Sequence, residues 1–453
     1  MNRKIITAAI AVALIPSSSW ALTVDNTAGN LESAVTDLTI TELTITGTID
    51  VRDFSFINEN LDALTSVDLS DASIAQYTTS SSESYFGLRG TFEANTIPAN
   101  SFFGMSLTSV VLPSDITAIG ERAFSGCTGI TAIDIPSTVE TIGDAAFYAT
   151  GLTEVEIAAT TIGDNAFTYC TALTGVTIDS SVESIGASAF AGCSALTTVT
   201  ISADSQLTTI GDEAFAQTQI SEFDFTNCPN ATNLGIWVFA GAPISIASLP
   251  ADLIEVPEGI FFGNAASDSI TLPETLTTIN SYAYYGNSAL TQMTIPALVT
   301  YIGNNAFEGD TALVDVIAYP TEVPELGEDV FLGVNTDDDK ANLWVDENVI
   351  ADYEAAAQWE EFYIQDISTL SVENPTIDQV DINAYFIDKT LHLQASEVIT
   401  LATVTDETGI TVAYRDNNQT SIDIDTGAFG GHVYIVKASL ADGSVATLKL
   451  LRK

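Results

Sequence analysis

The fold of this chain is decided by a phrase that it repeats, written at residues 185–201 as IGASAFAGCSALTTVTI. A close copy, IGERAFSGCTGITAIDI, occupies residues 119–135. The aromatic residues that close the successive IGxxAF phrases follow one another at intervals of 20 to 25 residues, and we call them the rungs of an aromatic ladder. The rungs are Phe102, Phe124, Phe147, Phe167, Phe190, Phe215, Phe239, Phe261, Tyr284, Phe307 and Phe331. A period of this length predicts a solenoid in which each coil packs on the next.

Each repeat contains two apolar phrases, Leu-x-x-Val-x-Ile followed by Val-x-x-Ile-Gly-x-x-Ala-Phe. In LTTVTI, residues 196–201, the β-branched Val199 and Ile201 alternate with Thr198 and Thr200, as in a strand with one buried face. A single strand cannot bury that face, so the coils must stack, with equivalent side chains about 5 Å apart. The glycine of each Ile-Gly pair is predicted to mark a bend, because φ is positive there or because a Cβ would clash.

These residues resemble a known family. Tandem VxxIGxxAFxxCxxLTxVxIP units are similar to the bacterial surface leucine-rich repeats often called BspA-like, over residues 102–331. The flanking segments 47–74 and 341–365 resemble the N-terminal cap and the terminal unit of that family, and Tyr353 and Trp359 are expected to cover the last coil. Caps are also required physically, since an open end would expose both the core and a strand edge.

The repeat departs from its own pattern in the middle of the array. Val256-Pro257 and Ile279-Asn280 replace the Ile-Gly pair, and residues 223–239 form a variant coil. We therefore expect the curvature of the array to be irregular in this segment.

The predicted fold is mainly β: a capped leucine-rich repeat solenoid of about ten coils, with a period of about 23 residues, followed by a small β-sandwich. The predicted domains are a signal peptide at 1–21, an N-terminal cap with first atypical repeats at 22–95, BspA-like repeats at 96–331, a C-terminal capping unit at 332–366 and a β-sandwich sorting-like domain at 367–453.

The first 21 residues have the pattern of an export signal. Arg3 and Lys4 precede the apolar run Ile5–Ile15, and Ser19-Trp20-Ala21 places small residues at the two positions that a signal peptidase inspects. No later run approaches the apolar length of a membrane span. We therefore expect a secreted chain without a membrane span, located outside the cell or attached to its outer surface.

The segment from residue 367 differs in composition from the repeats. Segments 372–382, 404–412 and 430–453 alternate as strands do, which predicts the small β-sandwich. Asn374-Pro375 and the closing Leu450-Leu451-Arg452-Lys453 also resemble the sorting domain of type IX secretion substrates. That resemblance implies the secretion machinery as a partner, and an ordinary accessory β-sandwich remains the alternative.

The charge of the chain excludes some partners. The formal net charge is −48, from 60 Asp and Glu against 12 Lys and Arg, and no Lys or Arg lies between Arg122 and Lys340. The same interval contains 28 acidic residues. Nucleic acid and anionic lipid need clustered cations, so neither is an expected partner. The acids form a solubilising surface or attract cations, and the sequence leaves both interpretations open.

The cysteines are expected to serve packing. Cys127, Cys170 and Cys193 each follow a ladder Phe by three residues and so share one repeat position, whereas Cys228 does not. Small buried thiols are the simplest interpretation. A disulfide between Cys170 and Cys193, on adjacent coils, is the alternative.

No constellation for catalysis is apparent. Only His392 and His432 could serve a histidine-based mechanism, and both lie outside the array. Glu154 and Glu156 could act as a hydrolase pair by residue type alone. The tract Asp337–Asp339 is either a weak calcium site or a solvated loop. We therefore predict a protein that is not an enzyme and needs no cofactor, with weak Ca²⁺ association as the only open case.

The remaining candidate site is the outward face of the first strand in each coil. Stacked coils would align these residues into a Thr-rich surface with acidic positions. The candidate ligand-binding residues are Asp134, Glu154, Glu156, Thr177, Thr198, Thr200, Glu222, Asp224, Gln292 and Thr294. The function predicted from this surface and from the family resemblance is adhesin-like binding of an extracellular protein or cell-surface ligand. A self-associating surface-layer component is the alternative, and a surface hydrolase is a third hypothesis.

Overall fold

The structure, a computed structural model, describes residues 20–244, 249–264, 269–270, 272–334 and 340–369, and six strands between residues 382 and 451. The chain forms two compact units, Met1–Leu173 and Thr174–Lys453. Of the predicted signal peptide, only Trp20 and Ala21 lie within the described residues, and Ala21 is the first residue of a strand.

The first unit contains twelve labelled strands and two helices in its described part. These are β1 (Ala21–Asn26), α1 (Leu31–Ala34), β2 (Glu42–Ile49), α2 (Val51–Asn60), β3 (Ser66–Asp68), β4 (Ala72–Ile74), β5 (Tyr77–Thr78), β6 (Thr91–Phe92), β7 (Thr96–Ile97), β8 (Ser109–Val111), β9 (Ala118–Ile119), β10 (Thr141–Ile142), β11 (Glu154–Ile157) and β12 (Thr161–Ile162). Strands β1, β2, β3 and β8 form a parallel sheet in that order, and β7, β9, β10 and β12 form a second parallel row.

Helix α2 covers the first rung of the aromatic ladder. It begins with a capping box: the Asp50 carboxylate accepts the backbone N–H of Arg52, and the Asp53 carboxylate accepts that of Asp50. Phe54, which is fully buried on this helix, packs edge-on against Phe102 with the ring centroids 5.8 Å apart. The helix therefore shields the apolar end that the first coil would otherwise expose.

The second unit continues the coils and ends in a separate sheet. Its repeat strands are β13 (Gly175–Ile178), β14 (Ser184–Ile185), β15 (Thr198–Ile201), β16 (Thr209–Ile210), β17 (Asn233–Leu234), β18 (Glu255–Val256), β19 (Ser269–Ile270), β20 (Thr278–Ile279), β21 (Gln292–Ile295), β22 (Tyr301–Ile302), β23 (Asp315–Ala318), β24 (Glu325–Leu326), β25 (Asn342–Val345) and β26 (Tyr363–Asp366). Helix α3 (Ile350–Glu354) and three 3₁₀ turns, Phe225–Asn227, Trp359–Glu361 and Ile367–Thr369, complete this part.

The parallel strands of the second unit form several ladders. Strand β13 pairs with β15, and β14, β16 and β17 pair in that order. Strands β18, β20, β22 and β24 form a four-stranded row, and β19, β21, β23, β25 and β26 form a five-stranded sheet. This pairing of equivalent strands from coil to coil is the arrangement that the repeat predicts.

The aromatic ladder is the core of the coils, as predicted. Every rung from Phe102 to Phe331 is at most 2% exposed. Consecutive rings stack nearly parallel in the first unit, with centroids 5.2 Å apart for Phe102 and Phe124. In the second unit the spacing is 5.3 Å for Phe190 and Phe215. Each ring thus fills the space between its neighbours on adjacent coils, and the close-packed stack stabilises the array.

The segment around each ladder Phe joins coils without forming a regular strand. In the coil of residues 185–201, Ser188 and Gly192 have positive φ angles of 54° and 68°. The backbone N–H groups of Ser188, Phe190 and Gly192 donate to carbonyl oxygens of Asp212, Ala214 and Ala216 on the next coil, at 2.7 to 2.9 Å. Positive φ occurs at the same two positions in coil after coil, which explains the frequent Asn and Gly there.

The glycine of the Ile-Gly pair is required because a side chain at this position would not fit against the preceding coil. Gly143 is not among the residues of positive φ, and a Cβ added to it would lie 2.7 Å from the backbone nitrogen of Glu121 on the preceding coil. Of the two reasons proposed from the sequence, lack of space for a Cβ is the correct one here.

All four cysteines are buried thiols. Cys127 donates a weak hydrogen bond to the carbonyl of Phe102, at 3.0 Å, and Cys170 does the same to Phe147, at 3.1 Å. Burial raises the pKa of the Cys127 thiol to about 12, which suppresses the reactive thiolate. The structure therefore favours the packing interpretation, and it holds no disulfide at the alternative pair Cys170 and Cys193.

The C-terminal segment contains a six-stranded antiparallel sheet. Its strands are β27 (Ile382–Ile387), β28 (Thr390–Asp406), β29 (Thr411–Tyr414), β30 (Gln419–Asp425), β31 (Val433–Leu440) and β32 (Val445–Leu451). The long β28 pairs with β27, β29, β30 and β31. Within the predicted segment 404–412, residues 404–406 end β28 and residues 411–412 begin β29, and the segment 430–453 contains β31 and β32. Residues 372–381 and 407–410 lie outside the described residues. The sandwich packing and the sorting role stay predictions.

Candidate ligand-binding face

Glu154 and Glu156 are the predicted site residues that a strand of the first unit presents to solvent. Both are exposed on β11 and alternate with the buried Val155 and Ile157. Two exposed carboxylates on one face of a strand can contact a ligand that lies across it. A glycosidase pair, by contrast, flanks the bond that it cleaves from two sides.

The prediction that Asp134 lies on a strand is wrong. Asp134 is exposed, but no strand forms over residues 129–135. Ile133 and Ile135, the residues that should anchor the strand to the core, are only half-buried. This segment therefore gains less from packing than β11 does, and propensity alone does not make it a strand.

In the second unit, the predicted threonines lie side by side. Strands β13 and β15 are in register, so that Thr177 faces Thr200 and Gly175 faces Thr198. Thr198 and Thr200 are exposed and Thr177 is half-buried. The in-register pairing confirms that these outward positions form one continuous surface.

The expected strand at Glu222 and Asp224 is also absent. Asp224 instead caps the 3₁₀ turn Phe225–Asn227, and its carboxylate accepts the N–H of Thr226 at 2.9 Å. It also accepts a hydrogen bond from the Asn227 side chain, at 3.1 Å. An aspartate that can bond the backbone two residues later favours such a turn over a strand. Glu222 is exposed next to this turn.

Gln292 and Thr294 lie in two in-register rows of the five-stranded sheet. In the first row Gln292 is in register with Asp315, Asn342 and Tyr363 on β23, β25 and β26. In the second row Thr294 is followed by Ile317, which is 1% exposed, and then by the half-buried Trp344 and Gln365. Gln292 and Thr294 are half-buried, whereas Tyr363, at the edge of the sheet, is 62% exposed.

Hydrogen bonds hold the side chains of these rows in place. The indole N–H of Trp344 donates to the Asp315 carboxylate at 2.8 Å, and the Asn342 amide donates to the same oxygen at 3.0 Å. The Gln365 amide donates to the Asn342 side-chain oxygen at 2.9 Å. An ordered network loses less conformational entropy when a ligand binds, so this part of the face is preorganised.

The predicted site did not include the row members on β25 and β26, because these strands were assigned to the terminal cap, and it also left out Asp315 and Ile317 on β23. The alternation of buried Leu343 and Val345 with Asn342 and Trp344 is the same period-two signal that identified the other strands. It would have extended the face if it had been applied beyond the last ladder Phe.

The described residues contain no group of three or more His, Cys, Asp or Glu that could hold a metal ion. Asp337–Asp339 lies outside the described residues, so the calcium hypothesis for that tract stays a prediction. Within the same part of the chain, no helix is both long and apolar enough to cross a membrane.

Comparison with solved structures returns proteins of bacteria. A leucine-rich repeat protein from Bacteroides ovatus is 20% identical, and the match covers 72% of this chain and 84% of that one, with a TM-score of 0.40. The pneumococcal vaccine antigen PcpA is 16% identical over 61% of this chain and 84% of its own, with a TM-score of 0.32. A leucine-rich cell surface protein from Faecalibacterium prausnitzii is 19% identical over 62% and 83%, with a TM-score of 0.32.

Comparison with curated proteins gives no match. Comparison with family profiles matches the BspA-type leucine-rich repeat region over residues 95–217 and 208–336, more than half of the chain. These residues contain the stacked aromatic ladder and most of the paired strands described above. The chain therefore belongs to the BspA-type leucine-rich repeat family.

Proposed function

We propose that this chain is an extracellular binding protein of adhesin type, which recognises a protein or another cell-surface ligand through the outward strand face. The observation that carries the proposal is the pair of in-register rows on the five-stranded sheet, with the ordered Trp344, Asn342 and Asp315 at their centre. A large, ordered aromatic side chain beside polar groups is typical of the residues that contribute most to binding.

Membership of a repeat family known for surface proteins supports this role, and binding along a repetitive face requires no catalysis. The predicted export signal and the sorting-like C-terminal segment support a location outside the cell, with the secretion machinery as a transient partner. The acidic surface favours ligands that are neutral or cationic over nucleic acid and anionic lipid.

The test measures binding of the whole chain to intact bacterial and epithelial cells and to a panel of purified extracellular matrix proteins. Replacing both Trp344 and Tyr363 by alanine should reduce binding about tenfold, and the double substitution Thr198→Ala with Thr200→Ala should reduce it less. Leu298→Ala is the matched control, because Leu298 is a 57% exposed residue outside the strands. Equal losses in the control and the face variants would remove the strand face as the binding site.

Analytical ultracentrifugation of the same samples separates this proposal from self-association. If the chain binds only further copies of itself, and the Trp344 and Tyr363 variant abolishes that assembly, the surface-layer alternative replaces adhesion.

A further inference from the structure

The second unit has an open recess of about 550 Å³ at the place where the repeat departs from its pattern. Leu234, Ile236 and Ile254 contribute apolar walls, and Asp252, Glu255 and Glu258 contribute carboxylates. Ile236 is 42% exposed and Ile254 is 51% exposed, at repeat positions where other coils carry exposed polar residues such as Glu121 and Glu140. The recess therefore combines exposed apolar surface with negative charge.

An aromatic cluster adjoins the recess along the chain. It consists of the half-buried Trp237, Phe262, Tyr282 and Tyr285, and Trp237 directly follows the recess residue Ile236. The ring centroids of Trp237 and Phe262 are 5.0 Å apart, and those of Phe262 and Tyr285 are 4.7 Å apart in a parallel stack. Trp237 also contacts Tyr282, at 6.0 Å. These contacts make a continuous aromatic surface on the turn side of the coils, separate from the strand rows.

The backbone under this cluster has an unusual composition. Trp237 and Tyr282 have φ angles of 58° and 59°, at the repeat position where Asn165 and Asn305 stand in other coils. Bulky side chains rarely adopt this conformation, which costs on the order of 1 kcal/mol for each residue. Between them lies Gly259, and a Cβ added there would lie 2.5 Å from the Trp237 ring. Because Gly259 has no side chain, the Trp237 ring can contact the Tyr282 ring two coils away.

Positive φ at this position is common to the coils, and Arg122, Ser188 and Glu213 also adopt it. The clustering of four half-buried rings, and not the backbone angle, therefore distinguishes this place. The charge around the rings identifies the chemistry of the ligand. No Lys or Arg lies between Arg122 and Lys340, so the array itself supplies no cation for Asp252, Glu255 or Glu258. A neutral glycan could stack on the rings but would leave the negative charge of the recess without a counter-charge.

We propose that the recess and its aromatic cluster bind a basic, partly apolar segment of a partner polypeptide. Lysine or arginine side chains of that segment are held by the three carboxylates and by cation–π contact with Trp237 and Tyr282. Its apolar side chains pack on Ile236 and Ile254. This site lies outside the strand face of the proposed function and has its own ligand class.

The test uses a fluorescein-labelled peptide of lysine, leucine and glycine, titrated with the whole chain at physiological salt. Replacing Asp252, Glu255 and Glu258 by their amides should weaken binding at least tenfold. The matched control replaces Glu322, Glu354 and Glu360, exposed carboxylates of the second unit that do not line the recess, by their amides, which removes the same charge elsewhere. It should weaken binding less than about twofold, because charges beyond about 8 Å are screened.

The aromatic cluster is tested by Trp237→Asn, a residue that the same backbone position accepts in other coils. It should lower affinity about tenfold, while Tyr169→Asn, which removes another exposed aromatic residue at positive φ, should leave it unchanged. Trp237→Phe should restore most of the binding. Thermal unfolding of each variant confirms that the chain is folded.

Equal losses of peptide affinity in the two charge-matched variants would show that the peptide responds only to the net negative charge of the chain. That result would overturn the proposal. The proposal also fails if Trp237→Asn binds the peptide as the parent does. Binding of neutral oligosaccharides that requires Trp237 but not the carboxylates would identify a glycan site instead. Because none of these variants touches Trp344 or Tyr363, failure here leaves the strand-face proposal untouched.

Discussion

Asp310 shows how one residue can depart from the repeat and still be accommodated. It lies three residues after Phe307, the position that holds Cys127 and Cys170 in other coils, and it is fully buried. The backbone N–H of Asn287 donates to one carboxylate oxygen at 2.6 Å, and the other oxygen has no hydrogen-bond partner among the described residues. Burial raises the pKa of Asp310 to about 9, so the side chain is protonated at neutral pH.

This pKa predicts a pH dependence of stability. Between the ordinary pKa of 3.8 and the folded value of about 9, the folded state holds one proton more than the unfolded state. The contribution of Asp310 to stability is therefore fully present below pH 3.8. It decreases progressively as the pH rises and is lost once the pH has passed through about 9, with a slope of at most about 1.4 kcal/mol per pH unit.

Asp310→Asn should remove this component, because asparagine already occupies the equivalent position as Asn264 and Asn287. The difference in unfolding free energy between variant and parent, measured by urea titration, should grow in favour of the variant from pH 5 to pH 8. The control is Ser288→Asn, a substitution of an exposed residue that adds no titratable group, and its difference should stay constant. A constant difference for Asp310→Asn as well would contradict the prediction.

At the scale of the coil, glycine is required at two positions for two different physical reasons. Gly143 closes the Ile-Gly bend, where a Cβ would overlap the backbone of Glu121, whereas Gly126 has a φ of 78° and its Cβ would meet Gly104 only at 3.6 Å. The first glycine is required by the distance between coils, and the second by the local backbone angle.

Substitution by alanine should separate the two. Gly143→Ala should destabilise the chain by about 3 kcal/mol, the upper end of overpacking, because backbone atoms cannot move aside as a side chain can. Gly126→Ala should cost about 1 kcal/mol for the positive φ alone. Chemical unfolding of both variants measures the difference, and equal costs would show that the coils adjust their spacing freely.

The stack of strands follows directly from residue patterns, whereas the variant coils do not. The alternation of Thr198, Val199 and Thr200 identified β15 correctly. The same pattern failed at Asp134 and Asp224, where weak burial in one case and a side-chain cap in the other prevent a strand. Short strands depend on partners in neighbouring coils, and a sequence pattern does not measure how well those partners fit.

At the scale of the whole molecule, the charge is the dominant property. A net charge of −48, with no cation between Arg122 and Lys340, makes the folded chain repel itself. Salt screens such repulsion, since the Debye length falls from about 30 Å at 0.01 M to about 3 Å at 1 M.

The thermal unfolding midpoint should therefore rise by several degrees when sodium chloride is increased across this range at pH 7.5. At pH 4, where a larger share of the carboxylates is protonated, the same increase should have a smaller effect. Differential scanning calorimetry at both pH values tests this. A midpoint that is insensitive to salt at pH 7.5 would mean that the carboxylates are already neutralised in the folded state.

The sequence by itself determined the repeat, the inward and outward sides of its regular strands and the absence of cations from the array, because each of these depends only on residue type and spacing along the chain. The tertiary structure decided which outward residues lie side by side in the proposed ligand-binding face and where the irregular coils open a recess. Trp344 and Asp315 are 29 residues apart, and Trp237 reaches Tyr282 past Gly259. Such contacts depend on the register and spacing of neighbouring coils, which only the packed chain sets.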